Sequence, residues 1–198
     1  MSIFLVFAIY VLNFSNFNVS GNIEIIENFE CSLIDDYISK IDKNIKNYTL
    51  CKNNIFGLST EGAQLLTYYD DSSLVKMSMT YFGETGNSED DIYYMGDNVS
   101  FVRSIKTFYD KPFYIDDYEI ESQSLDMFYF QNDSLFVWLN DNTKINNESE
   151  VFQNESKKWK NTIQELENRK TRDDCDSSAG RGVMKSTSSS PLENEKNN

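Results

Sequence analysis

Carboxylates are the side chains through which this sequence could do acid–base chemistry. The chain has 32 Asp and Glu residues and no histidine. The missing imidazole excludes a Ser-His-Asp triad, a Cys-His dyad, a histidine general base and a histidine-ligated metal. Three cysteines cannot complete a four-cysteine zinc site. What remains is a pair of carboxylates about 5–10 Å apart across a glycosidic bond, one acting as acid and the other as base or nucleophile. The candidates, Asp90-Asp91 and Asp116-Asp117, are sequence neighbours. On a strand such neighbours point to opposite faces, and in a loop they read as solvated turn acids. An acid-dependent, glycosidase-like hydrolase is the alternative functional reading.

The leading reading is non-catalytic binding, or a protein-interaction module. Tyr68, Tyr93 and Tyr129 recur in matching contexts, with Trp138 beside the last of them. Each ring offers flat apolar area with a polar edge, suited to docking a polypeptide or stacking on a sugar. The same rings also read as cross-strand core pairs. No cofactor is implied. Gly83-Glu84-Thr85-Gly86 lacks the length and the lysine of a phosphate-binding loop. Asp70-Asp71 and Asp97 do not fall into a calcium-binding EF-hand pattern, and no metal site is expected.

Charge narrows the partners. Residues 22–147 hold 22 acidic and 9 basic side chains, a net of −13, whereas 148–198 hold 10 and 9. Such a surface repels phosphate backbones and anionic headgroups, so nucleic acid is excluded as a partner. A basic protein or a glycan is allowed. The same charge also serves plain solubility.

The elements that must position these residues follow from periodicity. Val75, Met77, Met79 and Tyr81 alternate with Lys76, Ser78 and Thr80, a half-buried strand pattern. A header repeats three times: Tyr68-Tyr69-Asp70-Asp71-Ser72-Ser73-Leu74, Tyr93-Tyr94-Met95-Gly96-Asp97-Asn98-Val99 and Tyr129-Phe130-Gln131-Asn132-Asp133-Ser134-Leu135. Each reads as two aromatics, a polar turn and an aliphatic that opens the return strand of a β-hairpin. The 36-residue interval between the last two headers, against 25 for the first two, places an insertion around 110–124. Three hairpins predict an α+β fold with an antiparallel meander of about six strands. In the third hairpin Phe128, Phe130, Phe136 and Trp138 are expected on one side, and Met127, Tyr129, Leu135, Val137 and Leu139 on the other. Both sides are apolar, so both need cover.

These hairpins resemble degenerate MORN-type repeats, and the stretch from Ser59-Thr60-Glu61-Gly62 through Tyr93-Tyr94 is similar to a group of secreted bacterial proteins. The resemblance spans roughly residues 30–140. It implies sheet-built scaffolding or an interaction role and carries over no catalytic residue.

Cover for the sheet is available at both ends of the chain. Leu33, Ile34, Tyr37, Ile38, Ile41 and Ile45 mark one helical face, predicting a helix over 32–47 capped by Ser32. Phe152, Trp159, Ile163 and Leu166 mark a second helix within 148–171. The polar segment 172–198 is expected to be disordered. The apolar run 3–12 is too short to span a bilayer and fits the core of a signal peptide over 1–21. The expected destination is secreted or periplasmic, with no membrane anchor after cleavage. In that setting Cys31 and Cys51 are the expected disulfide, leaving Cys175 over. Oligomeric state is left open.

Overall fold

The computed structural model describes residues 19–170 and 175–176. Two helices, α1 (Val19–Asn44) and α2 (Glu150–Arg169), enclose one antiparallel sheet. Its strands are β1 (Thr49–Ile55), β2 (Ala63–Asp70), β3 (Ser73–Gly83), β4 (Gly86–Met95), β5 (Asn98–Tyr109), β6 (Ile120–Gln131), β7 (Ser134–Asn140), β8 (Thr143–Lys144) and β9 (Cys175–Asp176). The first eight form an uninterrupted meander, and β9 adds to the outer edge of β1. The fold is therefore α+β with the two expected helices, but the meander has eight strands rather than about six.

The three headers share one ladder plan, although only the third turn sets both of its residues, Asn132 and Asp133, at positive φ. Each ends in a two-residue turn, and the ladder shifts register at Tyr68/Tyr69, Tyr93/Tyr94 and Tyr129/Phe130. Each shift leaves one extra residue on the return strand: Val75, Ser100 and Phe136. These are β-bulges, which let a short turn join two strongly twisted strands. Positive φ falls on residues that tolerate it, including Asp71, Gly96, Asn132 and Asp133. The third bulge corrects the expected side-chain alternation. Leu135 packs with Phe128 and Phe130, while Phe136 joins Tyr129 and Val137.

The two faces have separate cores. Under α2 lie Leu65, Met77, Met79, Ile92, Val102 and Phe128, closed by Phe152, Trp159 and Leu166. Ser149 caps α2 by accepting the Phe152 backbone N–H at 3.2 Å. Under α1 lie Val75, Tyr93, Phe101, Tyr129 and Val137, closed by Ile34, Ile38 and Ile41. The four-, three-residue spacing of those isoleucines seats one face of α1. The helix begins earlier than Ser32. Its first half carries Glu27, paired with Lys144, and Glu30, which accepts from Gln131 at 2.9 Å.

The signal-peptide expectation lies outside the described residues, apart from residues 19–21, whose backbone opens α1. The expected disorder of 172–198 also lies outside them, save that Cys175 and Asp176 pair with β1.

The disulfide joins Cys51 to Cys175, not to Cys31. The sheet itself prevents the expected pairing. Cys31 rides on α1 and packs against the α1 core. Cys51 shares a cross-strand row with Thr67, Met77 and Ile92, whose side chains face α2. The two thiols stand on opposite sides of the backbone layer, whereas Cys175 lies directly opposite Cys51 in the β1–β9 ladder.

Candidate functional site

Tyr68, Tyr93 and Tyr129 do come together. The ladder registers place Tyr68, Lys76, Tyr93, Phe101, Tyr129 and Val137 in a single row across six strands. Phe101 stacks edge-on with Tyr129 at 4.9 Å between centroids and lies 5.8 Å from Tyr93. The row lies beneath α1: Tyr93 and Tyr129 are buried, and Tyr68 is half-buried. Their polar ends bind the helix. The Tyr93 hydroxyl donates to Asp42 at 2.9 Å, and the Tyr129 hydroxyl donates to Asp35 at 3.0 Å. In return Tyr37 of α1 donates to the Tyr94 carbonyl at 2.8 Å. Burial, reinforced by the neighbouring carboxylates, pushes both buried tyrosines above the ordinary phenol range. Trp138 stands apart on the α2 face, stacked on Phe128 and donating to Asp126 at 2.8 Å.

A charged cluster sits beside this row. Asp91 meets Lys76 at 3.0 Å and also pairs with Arg103. Lys76 and Arg103 both donate to the Tyr93 hydroxyl, at 3.0 and 3.1 Å. Burial alone would raise the Asp91 carboxyl, but the Lys76 charge, Ser78 and Arg103 outweigh it and hold it below the usual range. On the opposite face burial raises Asp90, only partly offset by Ser104, which donates to it at 2.6 Å. The neighbouring carboxylates thus lie on two sides of the sheet and cannot flank one bond. Asp116 and Asp117 lie exposed in the β5–β6 connection, Asp117 at φ 59°. Among the described residues no group of three or more carboxylates and cysteines gathers as metal ligands.

One open groove among the described residues was not foreseen from sequence. At the end of the sheet away from the three bulged tips, the β3–β4 turn and the 110–119 connection are stitched together. Tyr109 N–H donates to the Thr85 carbonyl at 2.9 Å and Phe113 N–H to the Glu84 carbonyl at 2.8 Å. A groove of about 630 Å³ opens there, lined by Tyr81, Phe82, Gly83, Gly86, Lys106 and Phe108 among others. Gly86 is required by close approach, because a Cβ there would collide with the Thr107 carbonyl oxygen. Gly86→Ala is expected to cost about 1–3 kcal/mol by overpacking. A urea-denaturation midpoint unchanged from the parent would contradict that tight approach.

No protein family, characterised protein or solved structure matches this chain significantly.

Proposed function

We propose that the chain is an exported, non-catalytic binding module whose acidic surface attracts a cationic protein. One observation carries this reading. Over residues 25–147 only Asp90, Asp91 and Asp126 among the carboxylates are buried, so most of the acidic side chains of this acidic unit reach solvent. Fields of one sign raise association rates with partners of the other sign and fall with salt. The Cys51–Cys175 bridge supports residence in an oxidising compartment, secreted or periplasmic. The MORN-type likeness belongs to the same reading, as a sheet scaffold that presents a surface.

The seat of α1 bears on where a partner could bind. With α1 in place, Tyr93 and Tyr129 serve the helix, and the open surface is elsewhere. The expected result is association with a cationic peptide at 20 mM salt that weakens at least about tenfold at 300 mM, measured by fluorescence anisotropy. Binding indifferent to salt, or equal affinity for an anionic peptide, would remove this function.

A further inference from the structure

The geometry points to the stitched end of the sheet, centred on residues 110–119, as the docking surface for an extended basic polypeptide that alternates cationic and apolar side chains. This rests on the binding-module reading and adds its place and its ligand chemistry.

The first ground is apolar exposure without a folding reason. Both faces of the sheet already have helices over them, yet this end leaves Phe82, Phe108, Phe113, Tyr114, Tyr118 and Ile120 exposed. Tyr114 is 61% and Ile120 62% exposed. None of the six belongs to either core cluster. Strand alternation sets Phe108, opposite Gly86, on the α2 side and Phe82, opposite Asn87, on the α1 side, where Asn87 donates to the Tyr109 hydroxyl and Tyr109 packs against Tyr118. Exposed apolar side chains gathered at one end of a sheet mark an interaction site.

The second ground is order. The connection is the insertion that lengthens the last repeat interval, and it is held in shape. Besides the two bonds to the β3–β4 turn, Asp110 N–H donates to the Glu119 carbonyl and Glu119 N–H donates to the Asp110 side chain at 2.8 Å. Tyr118 packs edge-on against Tyr109 at 5.0 Å, and Phe113 against Tyr114 at 5.6 Å. A surface already held in place loses little entropy when a partner docks.

The third ground is charge complementarity. Glu84, Asp110, Asp116, Asp117, Glu119 and Glu121 are exposed around these rings, against Lys111 and Lys106. Aromatic faces ringed by carboxylates select guanidinium and ammonium groups, through ring quadrupoles and charge together. The groove lined by Tyr81 and Phe108 on the α2 side can take an apolar side chain from a segment that crosses this end of the sheet. The same carboxylates repel anionic lipid and nucleic acid.

The test uses the full chain and fluorescein-labelled twelve-residue peptides: alternating Arg and Leu, alternating Arg and Gly, and alternating Glu and Leu. The expected result is that the Arg/Leu peptide binds about tenfold more tightly than Arg/Gly, and that Glu/Leu does not bind. Phe113→Ser/Tyr114→Ser/Tyr118→Ser should weaken Arg/Leu binding about tenfold or more, as should Glu84→Gln/Glu119→Gln/Glu121→Gln, which leaves every ring in place. Phe29→Ser on exposed α1 should change nothing. Circular dichroism and urea midpoints check that each variant folds. If Arg/Leu and Arg/Gly bind alike, or if the triple ring variant binds like the parent, the docking surface is overturned while the cationic-partner reading stands. If no Arg peptide binds the parent, both fall. Uptake by neutral phosphatidylcholine vesicles, lost in the ring variant, would make the surface a lipid site and overturn the peptide proposal.

Discussion

Asp91→Asn should destabilise the protein by about 3–5 kcal/mol at pH 7, because it removes the charge that holds buried Lys76 and half-buried Arg103. The substitution is nearly isosteric, so no cavity contributes. What changes is Lys76, whose side chain is only 10% exposed and which keeps Tyr93 at 3.0 Å and Asp42 at 3.5 Å but loses its closest carboxylate. Arg103 loses its partner as well but retains contact with solvent and with Asp42. The penalty is therefore chiefly a buried lysine under α1 left with only the longer Asp42 contact. The double variant Lys76→Met/Asp91→Asn should be more stable than Asp91→Asn alone, since it removes the stranded charge along with its partner. Urea unfolding of the parent, both single variants and the double variant measures the coupling. A coupling near zero would mean that Lys76 and Asp91 do not interact in the folded protein.

The pH dependence of this loss has a fixed sign. The folded Asp91 carboxyl titrates below its unfolded value of 3.8. Between the folded and unfolded values the unfolded chain binds more protons, so stability rises with pH. The Asp91 contribution is complete above the unfolded value and is lost as pH falls through the folded one. The gap between parent and Asp91→Asn should narrow accordingly in acid. Asp90, on the other face, behaves oppositely. Its folded value lies above 3.8, so the folded state binds more protons in that window and stability falls as pH rises through it. One dipeptide thus contributes two opposed terms, a consequence of strand alternation placing its members on different sides of the sheet.

That alternation also explains how much of the molecule could be read from sequence. The repeated headers marked three real hairpins, because paired aromatics followed by Asp, Asn, Ser or Gly encode strand and turn locally. The α2 stripe of Phe152, Trp159, Ile163 and Leu166 was legible for the same reason: its period is local. Strand β1 was not. Lys52, Asn53 and Asn54 interrupt its apolar pattern, and its place in the sheet is set by pairing with β2 and β9. The bulge at Phe136 reverses two side chains without altering the sequence signal, since a ladder shift is visible only in the partner strand. The role of Tyr93 and Tyr129 was not legible: the sequence offered docking or core pairing, and both their shared row and α1 lying over it depend on ladder register and tertiary packing. The open end escaped notice because exposed aromatics and core aromatics look alike in composition. The insertion at 110–124 was the available signal there.

Cys175→Ser is the second large loss expected, and it bears directly on the cysteine pairing. The Cys51–Cys175 bridge closes a loop of 124 residues. Opening a loop of that size frees the unfolded chain by about 5 kcal/mol on the chain-entropy account, and removal of native bridges usually costs about 2–5 kcal/mol. The folded state also loses something. Cys51 is fully buried, and β9 pairs with β1 at Leu50 and Cys51, so the bridge sits at the centre of what holds this two-residue strand beside β1. Reduction of the parent should therefore reproduce the Cys175→Ser urea midpoint, and reduction of Cys175→Ser itself should change nothing further. Cys31→Ser should leave the bridge and most of the stability intact, because its thiol, which burial and then Asp35 and Glu27 push up to about 11, is unpaired. A non-reducing digest should yield one cross-linked peptide pair containing Cys51 and Cys175. A pair containing Cys31 and Cys51, with Cys175→Ser as stable as the parent, would place α1 on the other side of β1 and overturn the two-faced packing from which the tyrosine row, the ion cluster and the open end all follow.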